Sequence, residues 1–513
     1  MNSFLSSGSF LSLSASVLIL SLSSCSHTLP PSLTSVFPAD GDTSVCPDTR
    51  LVLTFRQAPT LGQSGKIRVI DDLTGEPIDS LDLSIPAGPT QRATYGPECD
   101  YTPVPYDYSR AMMPTNRNTR PGTPSGVAQP TSADYQLNII GGFTDAFHFY
   151  PVIVRDTVAT IYLHNNVLDY NRQYRVTIDA ECFQCQADSF PGLQWHFRTR
   201  PEAPLMSRVL RVDPSGQGDF CTVQGALDFV PDFSADDYHI SIAPGDYEEL
   251  VYARNKTHIH LQGSGMDVTR VHYANCEVFN PHPVNVKTNE WPGTFPSRRA
   301  AFMLDNCTDV TLQDMTIATD MQGQAEGLLL NGERITLRQI HIIGSGDALQ
   351  ANGTIYMEDC ELDGGGDTFL GRGSLFAYRC RLRNDGGPFT WIRNTEGTHG
   401  DVFVECDFST FTGRPVDLGR APNNGKQSYP HAEQVLINCR VADCIPAGWS
   451  SIGCPTAYFA EFGTTDLTTG LPADLSHRHP YAHQLRTGRD DKLIADYQDP
   501  AFVLGGWNPR HGL

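Results

Sequence analysis

Gly344-Ser345-Gly346-Asp347, leading to Ile355-Tyr356-Met357-Glu358-Asp359-Cys360, returns as Gly364-Gly365-Gly366-Asp367, leading to Leu375-Phe376-Ala377-Tyr378-Arg379-Cys380. In both copies the aspartate stands thirteen residues before the cysteine. Working outward, short apolar runs of the same kind recur: His258-Ile259-His260-Leu261, Val310-Thr311-Leu312 and Ile335-Thr336-Leu337 before the pair, Val402-Phe403-Val404 and Val435-Leu436-Ile437 after it. From Val310 onward their starts are 25, 20, 20, 27 and 33 residues apart, with Gly, Asn and Asp between them. A repeat of this size without helical periodicity predicts a solenoid with one coil per repeat, because a single coil cannot bury its own apolar face. Short runs of β-branched and aromatic residues alternating with polar ones select the parallel β-helix, and leucine is too sparse for a leucine-rich repeat. Cys360, Cys380, Cys406 and Cys439 each close such a run. A small thiol recurring at one place in a repeat reads as core packing rather than cross-linking.

The two aspartates are the chemical signal. Stacked parallel strands lie about 4.8 Å apart, so Asp347 and Asp367 are expected to leave one face within a few ångströms of each other. Carboxylates that close resist joint ionisation: one is expected to hold a proton and act as an acid, the other to stay charged beside a cation. Arg393, thirteen residues before Cys406, and Arg420 are the candidate cations, each able to grip a carboxylate by two hydrogen bonds. Gly-Asp also caps turns, and that reading assigns the pair no chemistry.

The rest of the chain frames this region. The formal net charge of -21, from 37 basic and 58 acidic residues, argues against a nucleic-acid partner. The apolar stretch Ser16 to Leu22 is too short to span a bilayer and reads as an export signal, expected over residues 1–25. Leu22-Ser23-Ser24-Cys25 resembles the bacterial lipobox, which implies a lipid anchor at Cys25 and a secreted, cell-surface or outer-membrane location. Between residues 30 and 200, alternating runs such as Leu51-Val52-Leu53-Thr54-Phe55 and Tyr174-Arg175-Val176-Thr177-Ile178 predict a small all-β sandwich. Its ends, Phe37-Pro38-Ala39-Asp40-Gly41 and Trp195-His196-Phe197-Arg198-Thr199, resemble the bacterial Ig-like module, and Glu98 to Pro130 reads as a loop insertion. Cys182 and Cys185 lack a second ligand pair, which disfavours zinc and suggests a local disulfide. Arg200 to Pro204 reads as a linker, and the solenoid domain is expected over residues 205–513.

Within that domain a series of short motifs resembles the pectin methylesterase (pectinesterase) family. In order they are Asp213-Pro214-Ser215-Gly216-Gln217-Gly218-Asp219-Phe220; Gly245-Asp246-Tyr247-Glu248-Glu249 for the family's GxYxE; Gln324-Ala325-Glu326-Gly327-Leu328 for QAVAL; Gly346-Asp347-Ala348-Leu349 for QDTL; Gly366-Asp367-Thr368-Phe369-Leu370-Gly371 for VDFIFG; and Leu418-Gly419-Arg420 for LGRPW. Pro446-Ala447-Gly448-Trp449 and Gly506-Trp507-Asn508-Pro509 match its closing segments. The resemblance implies a right-handed parallel β-helix that hydrolyses methyl esters of galacturonate in pectin or a related galacturonan, with no metal or cofactor and as a monomer. It further implies Asp367 as nucleophile, Asp347 as general acid and base, Gln324 as oxyanion donor, and Arg420 as the cation that keeps Asp367 ionised and aimed.

Three positions depart from the family pattern. Gly346 stands where the family has a second oxyanion Gln, Gln350 where it has Tyr, and Pro422 where the Trp of LGRPW would follow. Trp391 and Arg393 are the expected replacements for lost sugar contacts, with Gln350 beside them. Two other readings follow from the same residues. One is a glycoside hydrolase or lyase, since paired carboxylates also cleave glycosidic bonds. The other is a non-catalytic pectin-binding protein, motivated by Gly346 and Gln350.

Overall fold

The computed structural model of the chain describes residues 29–90, 131–143, 146–186, 189–281, 297–384, 386–420, 423–424, 427–452 and 454–511. The expected export signal with Cys25, the Glu98 to Pro130 insertion and Pro422 lie outside the described residues.

From Val209–Val212 to Ala482–Gln484 the strands form one 21-stranded sheet, parallel throughout, apart from the separate antiparallel pair Asn423–Asn424 and Gln427–Ser428. It is a parallel β-helix, and register stacks like on like. Phe302, Leu328, Leu349, Phe369 and Thr390 form one inward column. Val310, Ile335, Ile355 and Leu375 form a second. Ile317, Ile342, Leu362, Leu382, Phe408 and Val441 form a third. All three columns are buried, and their apolar side chains belong to one continuous core. No coil could supply that burial alone, which is why the sequence must repeat.

The corners explain the repeat's spelling. Asp359, Arg379, Glu405 and Asn438, each just before a cysteine, adopt left-handed backbone with φ of 52°, 52°, 56° and 54°. Such a residue costs about 1 kcal/mol or more unless it is glycine. Here each still donates its N–H to the next coil: to the carbonyls of Tyr378 (3.1 Å), Val404 (3.0 Å), Ile437 (2.9 Å) and Phe462 (2.7 Å). One left-handed residue therefore turns the chain without breaking the ladder. The cysteine that follows drops into the core, and all four are buried and reduced. Strands consequently run on through corners: Phe302–Thr319 and Leu328–Ile343 are continuous, where the sequence suggests short separate runs.

Strands that look apolar on both faces are covered on both. Ile355 and Met357 point into the main core, while Tyr356 packs outward with Phe376, Val402 and Val435 under the C-terminal helices Asp491–Gln498 and Pro500–Val503. At the other end the buried helix Val223–Phe229 plugs the first coil. Its exposed N–H groups are all capped: Thr222 Oγ1 accepts from Gly225, and the two oxygens of Glu249 accept from Val223 and Gln224 at 3.0 Å each. Glu249 is the closing residue of the Gly245 to Glu249 motif, so that motif is a structural cap.

Residues 33–199 contain a β-sandwich of a four-stranded and a five-stranded sheet, closed over Leu53, Val69, Tyr174, Trp195 and Phe197. It docks on the capped end. Asp48 accepts from the backbone of Cys221 (2.9 Å) and Thr222 (2.8 Å), and Arg50 pairs with Glu249 at 3.1 Å. The expected disulfide between Cys182 and Cys185 is not formed. The strand Phe183–Gln184 lies between them, paired with Thr60–Leu61, and an extended spacing of three residues holds the two about 10 Å apart, beyond disulfide reach. Cys182 packs in the sandwich core instead.

Candidate active site

Asp347 and Asp367 occupy equivalent places on neighbouring coils. Leu349 pairs in register with Phe369, and between the coils Asp347 N–H donates to Gly366 O (3.1 Å) and Leu349 N–H to Thr368 O (2.9 Å). Both aspartates are left-handed, with φ of 62° and 43°. The same backbone conformation at stacked positions sends both side chains off the coil in one direction. Asp347 is buried and Asp367 half-buried.

Arg420 answers Asp367. Its Nε donates to Oδ1 at 2.8 Å and its Nη2 to Oδ2, a two-pronged grip. The grip is itself braced. Arg420 N–H donates to Thr390 O (2.9 Å), and its guanidinium lies 4.7 Å from the centre of the Trp391 ring. The preceding Gly419 is obligatory, because a Cβ there would fall 2.4 Å from Thr390 Oγ1 and 2.5 Å from Gln434 Oε1. Gln434 in turn donates to Thr390 Oγ1 (2.9 Å) and Leu418 O (3.0 Å) and accepts from Trp449 Nε1 at 2.5 Å. The buried Trp449 of the closing motif thus supports Leu418-Gly419-Arg420 from beneath.

Asp347 has a cation of its own, which the sequence reading did not supply. Arg299 Nη2 donates to Asp347 Oδ2 at 2.9 Å, its Nε to Glu326 Oε1 at 2.7 Å, and its Nη1 lies 3.7 Å from Glu277 Oε2. Three carboxyl groups share one guanidinium, so the cluster favours keeping a proton. Glu326 is fully buried, its Oε2 has no hydrogen-bond partner among the described residues, and burial pushes its carboxyl up to about 7 against the pull of Arg299. The signal for this cluster was present in the sequence: an acid stands at Glu326 where the motif QAVAL has an apolar residue, and a buried acid demands a counter-ion.

The other candidates gather on the same wall. Gln324 pairs along the backbone with Gly346, one coil before Asp347, and its side chain is exposed. Gly346 is tight: a Cβ there would lie 2.9 Å from Gly323 O, so this backbone admits no side chain at that point. Gln350, Leu370 and Trp391 stack in one outward column. The Gln350 amide is buried with its Nε2 lacking a partner among the described residues. Arg393 does not reach Asp367 as one candidate reading had it; Arg420 takes that place, and the Arg393 guanidinium lies 4.6 Å from the Trp391 ring centre.

A parallel β-helix bearing two arginine-held carboxylates on adjacent coils defines a class of carboxylate-based hydrolase site. Residues 210–389 match the sequence profile described as Pectinesterase. Pectinesterase QRT1 of Arabidopsis thaliana is 31% identical over 323 residues, covering 59% of this chain and 79% of that protein. Probable pectinesterase 8 of the same plant is 27% identical over 305 residues, covering 56% and 73%. Among solved structures, pectin methylesterase PemA from Erwinia chrysanthemi is similar at 16% identity and a TM-score of 0.45, over 59% of this chain and 97% of that one. The chain belongs to the pectinesterase family and is a carboxylic ester hydrolase.

Proposed function

We propose that this protein hydrolyses galacturonate methyl esters in pectin, with Asp367 as the nucleophile. The observation that carries the reading is the in-register pair in which Arg420 grips both oxygens of Asp367 while Asp347 stands one coil away. A carboxylate held by a fork of N–H groups stays ionised and aimed. Its free lone pair attacks the ester carbonyl, and the C–O bond to methoxide breaks as Asp347 delivers a proton, giving methanol and an acyl anhydride on Asp367. Water then attacks the acyl carbon, Asp347 takes its proton, and Asp367 leaves as carboxylate. Asp347 shares the Arg299 guanidinium with Glu326, whose carboxyl burial raises to about 7, so the negative charge around Asp347 is reduced by a proton that the cluster keeps. Gln324, exposed beside Gly346, donates to the oxyanion. Trp391, part-exposed, is the residue of this wall offered to the polymer, while Gln350 and Arg393 are buried and act behind it, Arg393 by bracing the Trp391 ring.

Methanol release from methyl-esterified pectin tests the reading. Wild type is expected to release methanol and Asp367→Ala to release none above background; equal release by both ends the proposal. A non-catalytic pectin-binding role is the second reading, favoured by the bare Gly346, and it requires polymer binding with no turnover at any pH. The enzyme acts at the cell surface or outside it, a reading supported by the apolar run before Leu22-Ser23-Ser24-Cys25. Mass analysis of the mature N-terminus is expected to find a lipid-modified Cys25.

A further inference from the structure

We infer that Cys46 and Cys221 form a disulfide that bolts the β-sandwich to the capped end of the β-helix. Cys46 follows the sandwich strand Asp42–Val45, and Cys221 immediately precedes Thr222, the N-cap of the plug helix. The two are 175 residues apart in sequence, yet their Sγ atoms lie within 4.8 Å of each other, and both residues are buried. Their backbones are fixed from both sides. Asp48, two residues after Cys46, accepts the N–H of Cys221 itself at 2.9 Å. Arg200, whose N–H donates to Val45 O at 2.9 Å, sends its guanidinium to the carbonyls of Gly216 (2.9 Å) and Gly218 (2.6 Å). Both are free thiols in this structure, and two thiols held this close can be brought to the S–S length of about 2.05 Å by side-chain rotation.

The other buried cysteines differ in place rather than in closeness, since those stacked on successive coils also touch thiol to thiol. Cys360, Cys380, Cys406 and Cys439 each point the thiol at the carbonyl two residues back, at 3.3, 3.4, 3.4 and 3.6 Å, inside one domain whose coils are already in register. Only the Cys46 and Cys221 pair, among the described residues, spans the seam at this distance. Asp48 shares the cluster, but its Oδ2 already accepts from Cys221 N, Thr222 N and Thr222 Oγ1, and burial pushes its carboxyl up to about 6. Two thiols and one protonating carboxyl fall short of the four ligands of a closed zinc site.

The chemistry needs a two-electron oxidant, and a disulfide donor such as oxidised glutathione supplies it. One cysteine loses its proton and attacks the donor, forming a mixed disulfide and expelling a donor thiolate. The second cysteine, as thiolate, then displaces the remaining donor thiol, so two protons leave and the donor disulfide becomes two thiols. In the closed seam, contact with Cys46 and burial push the Cys221 thiol well up, which disfavours the thiolate.

The experiment uses the full-length chain, exported to an oxidising compartment, alkylated under denaturing non-reducing conditions and digested. The expected result is one peptide pair joining Cys46 to Cys221, two hydrogens lighter than the sum of its parts and separated by dithiothreitol. Full alkylation of both thiols overturns the inference, and so does stoichiometric zinc released on unfolding with both thiols reduced. The unfolding midpoint of wild type is expected to fall by several degrees in dithiothreitol, while that of Cys46→Ser/Cys221→Ser does not respond; a wild-type midpoint indifferent to reductant overturns the structural role.

Discussion

Replacing Glu326 by Gln removes the titration of one buried carboxyl beside the Asp347 and Asp367 pair. The amide keeps the oxygen that accepts from Arg299 Nε at 2.7 Å and fills the same volume, but it cannot ionise. In wild type, burial raises the Glu326 carboxyl from 4.5 to about 7. Between those two values the unfolded chain has released this proton and the folded chain still holds it. The folded state then binds more protons, so this group's contribution is fully present below pH 4.5 and is lost as the pH climbs through 7. Each pH unit corresponds to about 1.4 kcal/mol, so the window amounts to roughly 3 kcal/mol. Stability measured by urea unfolding at several pH values between 4.5 and 8 is expected to show Glu326→Gln gaining on wild type by about that amount across the window. Titrations away from the Arg299 cluster are common to both proteins and cancel in the difference, while Asp347, which shares that guanidinium, responds to the substitution together with Glu326. A difference that stays flat with pH, or runs the other way, would falsify the assignment of the retained proton to Glu326.

Other substitutions probe the remaining supports. Arg420→Lys keeps the charge but can meet only one oxygen of Asp367, and losing one charge-assisted hydrogen bond, about 1.5–3 kcal/mol, is expected to lower kcat for methanol release roughly 10- to 100-fold with KM little changed. Trp449→Phe removes the N–H that satisfies Gln434 Oε1, leaving a buried amide oxygen unpaired; a loss of about 1–3 kcal/mol in urea unfolding and a fall in kcat are expected. Gly346→Ala places a Cβ 2.9 Å from Gly323 O, and displacing that rung is expected to cost about 1–3 kcal/mol and to slow turnover by shifting Gln324. Restoring the family's Gln at this position is therefore expected to lower the rate of methanol release, not raise it.

The fold was legible because the repeat is spelled by its corners. At one corner a left-handed residue followed by an inward cysteine recurs on four coils, at Asp359, Arg379, Glu405 and Asn438, and both are visible as letters. The stacking of Asp347 on Asp367 followed from the matched thirteen-residue steps, since register copies sequence spacing into space. Partners contributed by distant parts of the chain were less legible. Arg299 lies 48 residues from Asp347, and nothing in periodicity couples them; only the acid at Glu326 in an apolar slot hinted that a cation must be near. Glu249 read as a family motif, yet its work is to cap the plug helix, which appears only when the helix N–H groups are counted. The Cys182 and Cys185 spacing misled because spacing alone does not reveal that an extended strand separates the two.

The two aspartates are distinguished less by themselves than by what their arginines owe to others. Arg420 serves one carboxylate, Asp367, and lies against an aromatic ring, so its charge is committed to a half-buried anion open to substrate. Arg299 is divided among Asp347, Glu326 and Glu277, and the two that it touches most closely are buried. A committed cation fixes and aims one carboxylate; three acids around one guanidinium leave excess negative charge, which the cluster answers by Glu326 keeping a proton. Chemically equal side chains on equivalent corners are thereby pushed toward opposite roles, and the asymmetry comes from the count of acids around each guanidinium.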